Sequence, residues 1–155
     1  ANSQLLGCFV PCHGCIDNAI HTFAGIQLRL ECARMMQGRR EPTGEARITG
    51  AYNLPSDHVI HTVGPIVSGR LTGEHEELLR SCYRSCLELA GTEGLGTVAF
   101  CCISTGEFRF PRVRAAEIAV EEVRSFLAEK HEMRVIFDVF GDDDLSVYRE
   151  ILGRA

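Results

Sequence analysis

Apolar residues recur at steps of three or four from Ile16 through Ile20, Phe23, Ala24 and Leu28, which predicts a helix running to about Met36. The stretch Gln37 to Gly44 mixes glycine, proline and charge, and reads as a surface loop before a short strand, Ala46 to Thr49. A second strand, His58 to Val63, follows the Leu54-Pro55-Ser56-Asp57 turn. Beyond Gly64, Pro65 and Gly69, the spacing of Leu78, Leu79, Cys82, Cys86 and Leu89 marks the core face of a helix ending near Gly91. Val98 to Ile103 is almost wholly apolar and predicts a strand buried on both faces, with helices covering each side. Ala116, Val120, Val123 and Leu127 place a helix over Val113 to Lys130, followed by a strand from Met133 to Phe140 and a helix from about Asp142 to Leu152.

Strands alternating with helices of this length predict an α/β fold, a three-layer α/β/α sandwich with a mixed central sheet and a ligand site beyond the strand C-termini. At 155 residues and 45% hydrophobic content, a single domain over 1–155 with one core is expected. The net charge of −5 comes without a block of Lys or Arg, which argues against nucleic-acid binding. No apolar run approaches the roughly 20 residues of a membrane span, and no leader pattern opens the chain, so no membrane role and a cytoplasmic location are expected. Eight cysteines divide between an N-terminal cluster and apolar segments, a distribution that favours free thiols plus one metal site over a disulfide framework.

That cluster, Cys8-Phe9-Val10-Pro11-Cys12-His13-Gly14-Cys15, brings thiols and an imidazole onto one short loop, a donor set suited to tetrahedral zinc. Cys12 and His13 are adjacent and their side chains diverge, so Cys8, His13 and Cys15 are the preferred Zn2+ ligands, leaving a fourth position open. The alternatives are a disulfide and plain buried thiols. Asp17 and His21, four apart, share a helix face beside this loop. Asp17 reads as a functional carboxylate or as a helix N-terminal charge, and His21 as a buried, hydrogen-bonded imidazole; His61, Cys101 and Cys102 read as core. Ile103 to Pro111 joins a strand to a helix N-terminus, an arrangement that favours anions if the loop N–H groups converge around Gly106.

Taken in order, Ala1-Asn2-Ser3, Leu5-Leu6-Gly7, the Cys8 to Cys15 loop and Ile16-Asp17-Asn18-Ala19-Ile20-His21 resemble the zinc-containing branch of microbial macrodomains. Gly44 to Thr49, Leu54-Pro55 and Val59 to Pro65 look like the middle strands of that superfamily. Ile103-Ser104-Thr105-Gly106-Glu107-Phe108-Arg109-Phe110-Pro111 resembles its phosphate loop, and Val135 to Phe140 with Asp144 its last strand and adenine-side turn. One departure is that the strands and helix preceding the Asn2 segment in the superfamily are missing from this chain, so an N-terminally incomplete macrodomain is expected.

The resemblance implies a zinc-dependent hydrolase that removes ADP-ribose from mono-ADP-ribosylated proteins. Asn2 and Asp17 match positions that contact the terminal ribose. Ser104, Thr105, Gly106, Glu107 and Phe108 would line the diphosphate, while Phe110 and Phe140 would cover the distal ribose and stack on adenine. By analogy with sirtuin-associated members of the branch, the modified partner would be a lipoyl-carrier protein, and the hydrolase a monomer. Two other readings stand beside it: an ADP-ribose reader with a structural zinc and no turnover, and a zinc-stabilised scaffold that binds no nucleotide.

Overall fold

The computed structural model describes residues 15–130 and 132–153. Asn2, Cys8 and His13, named above as site residues, lie outside them. The described elements run α1 (Ile16–Ala24), α2 (Ile26–Met36), β1 (Ala46–Gly50), β2 (His58–Thr62), α3 (Gly73–Thr92), β3 (Thr97–Phe100), α4 (Arg112–Lys130), β4 (Arg134–Phe137) and α5 (Asp142–Gly153).

The single helix expected from Ile16 to Met36 is two helices. Gly25, at φ 90° and ψ 178°, closes α1 and opens α2 in a conformation that residues bearing a Cβ rarely adopt. The apolar period survives the break because Ala24 and Leu28 both face the same small cluster, together with Cys32, Met36 and Val63. Periodicity therefore located the helical stretch but not its buried stripe: Ala24 and Leu28 are buried and Ile20 is half-buried, whereas Ile16 and Phe23 are exposed, and the break at Gly25 was not registered.

The mixed character of the sheet is present in two separate ladders. β1 and β2 pair antiparallel, with Ile48 opposite Ile60, and β3 and β4 pair parallel, with Val98 opposite Val135. The third strand is shorter than expected: β3 ends at Phe100, and Cys101 and Cys102 continue outside it, half-buried. Its two-sided burial is also not observed. Val98 and Phe100 are buried whereas Thr97 and Ala99 are exposed, so among the described residues only one face of β3 is covered.

The larger core lies between this face, α3 and α4, and contains Leu79, Cys82, Tyr83, Cys86, Leu87, Val98, Phe100, Ile118 and Val120. Leu78 and Leu89, expected on the core face of α3, are only half-buried; Tyr83, Leu87 and Ala90 take those places, a stripe rotated toward α4. The helix starts sharply because Thr72 and His75 form a reciprocal capping box. Across the outer edge of the α3–α4 contact, Arg84 pairs with Glu122 and Glu129, and Arg114 with Glu76 at 2.7 Å. These ion pairs fix the alignment of two helices whose buried faces carry the greater part of the stabilisation.

Candidate active site

The N-terminus of α1 is built around Cys15. This residue is its N-cap, at φ −101° and ψ 150°, and its Sγ accepts a hydrogen bond from the backbone N–H of Asn18 at 3.4 Å. Among the described residues, this is the observation that bears on the expected metal loop, and Cys15 fits the role of ligand. Cys8 and His13 lie outside the description.

Asp17 follows in the first turn of α1, with its carboxylate Oδ1 3.5 Å from His21 Nε2. Burial pushes the Asp17 carboxyl above its ordinary value, while His21 and Arg29 pull against that shift. Burial pushes His21 down, so the imidazole is held neutral despite the nearby carboxylate. Arg29, one turn into α2, reaches back to Asn18 Oδ1 at 3.4 Å and brings a cation to the same face. His21 is buried as expected, but neither ring nitrogen has a hydrogen-bond partner at normal distance.

Behind His21 lies a set of which sequence reasoning singled out only His61, as core. His61 on β2 sits with its ring centroid 6.1 Å from that of His21, its Nε2 2.9 Å from Thr49 Oγ1 and 3.8 Å from Cys32 Sγ. The residues come from four elements, and no local spacing links them.

The loop between β3 and α4 is a tight structure of its own. Phe110 N–H donates to Ser104 O at 3.0 Å, Arg109 N–H to Gly106 O at 3.0 Å, and Thr105 Oγ1 to Cys102 O at 3.1 Å. Ser104 and Arg109 carry the left-handed backbone here, at φ 65° and 56°. The expectation that Gly106 supplies this freedom is not met: its φ lies outside the left-handed range, and an added Cβ there would meet nothing within 4 Å. The glycine that the loop needs is Gly64, at the end of β2. A Cβ on it would come within 2.0 Å of Ser104 Oγ and 2.7 Å of Ile103 Cγ2. Ser104 Oγ is therefore buried against the β2 end, so any contact of Ser104 with a ligand would run through its backbone.

Thr105, Gly106 and Glu107 are half-buried or exposed and remain available at the loop surface. Phe108 packs against the α1–α2 cluster, and its carbonyl accepts from Val67 N–H at 2.9 Å. This side chain ties the loop to the cluster shared by α1, α2 and Val63. Phe110 is buried in the larger core, where it anchors the loop, and Phe140 is fully exposed just before α5. Asp144, in the first turn of α5, pairs with Arg112 Nε at 2.8 Å and so fixes the start of α4 against the start of α5.

Two anion-compatible elements are thus present, the α1 N-terminus with Cys15 and Asp17, and the strained loop entering α4. Known proteins resemble this chain. The family model described as Macro domain matches residues 1–119. The chain is 54% identical over 155 residues to the protein-ADP-ribose hydrolase of Treponema medium, covering 98% of this chain and 59% of that protein. It is 51% identical over 158 residues to the protein-ADP-ribose hydrolase of Staphylococcus aureus strain MRSA252, covering 99% of this chain and again 59% of the relative. The chain therefore spans about three-fifths of the length of these relatives. Among solved structures, the Oceanobacillus iheyensis macrodomain with ADP superposes with a TM-score of 0.89 at 40% identity, over 99% of this chain and 80% of that one. The Trypanosoma brucei macrodomain in complex with ADP-ribose gives 0.84 at 39% identity, over 99% and 61%. On these matches the chain belongs to the Macro domain family, with the macrodomain fold.

Proposed function

We propose that the protein containing this chain binds ADP-ribose attached to other proteins and hydrolyses it from them, with Zn2+ held by Cys8, His13 and Cys15. The observation that carries the reading is the placing of Asp17, a half-buried carboxylate in the first turn of α1, two residues after the N-cap Cys15 and 3.5 Å from His21 Nε2, with burial raising its carboxyl. The names of the two bacterial relatives, and the ADP and ADP-ribose in the solved structures, support the ligand class.

In this scheme the loop from Ser104 to Phe108 takes the diphosphate through backbone N–H groups and the adjoining start of α4. Asp17 orients a water toward the anomeric carbon of the terminal ribose and accepts its proton as the bond to the modified side chain breaks. The displaced side-chain atom leaves with a proton, giving free ADP-ribose and the unmodified protein. Asn2 would orient the ribose. When bound, zinc supplies Lewis acidity and alignment at that ribose. Phe140 is exposed where an adenine ring could stack on it, while the burial of Phe110 leaves it an anchoring role. A lipoyl-carrier protein as the modified partner and a monomeric hydrolase are part of the proposal, supported by the resemblance of the metal loop.

The test is release of ADP-ribose from an automodified protein by the full-length protein, before and after chelation. Release that falls at least about a hundredfold on metal removal and returns with Zn2+ is expected. Cys15→Ser should abolish turnover while sparing ADP-ribose binding. Tight binding with no release in either state would refute hydrolysis and leave a reader.

A further inference from the structure

Three metal-binding side chains outside the Cys8 to Cys15 loop converge in the interior. His21 comes from α1, Cys32 from α2 and His61 from β2, all three buried, with one donor atom of each within 4.8 Å of the others. Cys32 Sγ and His61 Nε2 are 3.8 Å apart. Zinc–sulfur and zinc–nitrogen bonds of about 2.3 and 2.0 Å at tetrahedral angles put neighbouring ligands ~3.3–3.6 Å apart, so modest side-chain rotations would bring the three donors onto one ion. Both ring nitrogens of His21 are buried with no hydrogen-bond partner, a cost that a cation bound at one of them would lessen.

We propose that His21, Cys32 and His61 form a second site for a thiophilic d10 divalent cation, Zn2+, which cross-links the α1–α2 pair to β2 behind Asp17. The electrostatics fit such an ion. Burial holds both imidazoles in the neutral, ligating form, with His61 pushed down to about 4. Burial pushes the Cys32 thiol up to about 12, so binding releases its proton to solvent as the thiolate forms. A divalent ion, one thiolate and the Asp17 carboxylate beside His21 sum to zero charge, and the nearby Arg29 and Glu31 offset each other. Asp17, 3.5 Å from His21 Nε2, stands where a carboxylate orients a ligating histidine, and His61 would exchange its 2.9 Å contact with Thr49 Oγ1 for the ion.

The test uses the full-length protein carrying Cys15→Ser to disable the loop site, stripped by chelation and kept reduced. Titration with Co2+ is expected to saturate at one equivalent, with a thiolate-to-cobalt charge-transfer band that Zn2+ then displaces. X-ray absorption at the zinc edge should find one sulfur and two imidazole nitrogens. Adding Cys32→Ser or His61→Gln should weaken binding by more than about a hundredfold. Failure to bind Co2+ in the Cys15→Ser protein, a zinc shell with two or more sulfurs, or a charge-transfer band that survives Cys32→Ser in folded protein would each overturn the site. The zinc-edge spectrum needs no substitution in the cluster, so it decides the matter even if those variants do not fold. Loss of hydrolysis alone would count against the proposed activity and leave this site standing.

Discussion

Replacing Gly64 with alanine tests whether the β2 end sets the shape of the loop entering α4. The backbone of Gly64 is outside the left-handed range, so alanine itself is conformationally acceptable, and the cost is steric. Its Cβ would lie 2.0 Å from Ser104 Oγ and 2.7 Å from Ile103 Cγ2, against an ordinary contact of 3.4 to 4 Å. Ser104 must then give way by more than 1 Å at a residue already held at φ 65°, which leaves it little room to adjust without moving the loop. Overpacking of this kind costs about 1–3 kcal/mol, from which roughly 0.5 kcal/mol is regained by restricting the unfolded chain. At about 2–4 °C per kcal/mol for a domain of this size, the net ~0.5–2.5 kcal/mol should lower melting by about 1–10 °C. ADP-ribose affinity, measured by calorimetry at a temperature where the variant is folded, should fall about tenfold or more because the diphosphate loop is displaced. The control is Gly64→Ala in a Ser104→Gly background, which removes the nearest atom and leaves only the Ile103 contact. The double-mutant cycle should then show coupling of about 1 kcal/mol or more. Equal destabilisation by Gly64→Ala in both backgrounds, or full affinity with a lowered melting point, would refute the contact as the link between β2 and the loop.

Glu76 is held below the usual carboxylate range first by its side-chain hydrogen bonds from Arg114. A lowered carboxyl stabilises the fold above its unfolded value and loses that contribution as pH falls through the lowered one, so Glu76→Gln should flatten the acid limb of a melting-temperature profile below about pH 4.5; an unchanged limb would show that the pair contributes nothing. Burial also pushes up the thiols of Cys82 and Cys101, to about 11, and Cys32, to about 12. Alkylation followed by mass spectrometry should therefore leave these three unmodified in the native protein, while Cys15 reacts after chelation and is protected by Zn2+; rapid native labelling of Cys82 would contradict its burial on the core face of α3.

Periodic burial made most elements legible in the sequence. Strands β1 and β2 and helices α4 and α5 lie within a residue or two of where pattern and turn residues put them, because each buries one stripe whose period is local. Asp17 and His21 were placed on one helix face by spacing alone, and they lie 3.5 Å apart on α1. Other features required the folded chain. Gly25 splits the first helix, a change of axis that an apolar count does not register. Burial on one face of β3 depends on what packs above it, so an apolar run could not reveal that Ala99 faces outward.

The sequence by itself determined the alternation of helices and strands, the donor types at Cys15 and Asp17, and the family, since these depend on residue identity and short spacings. Tertiary structure decided which glycine the loop needs, sending Ser104 Oγ against Gly64 and leaving Gly106 in open space. It also decided that His21, Cys32 and His61 share one buried volume, although 40 positions separate the first from the last. The physical reason is range: backbone preference and amphipathicity act over a few residues, whereas close packing and desolvation act between whichever atoms the fold brings together.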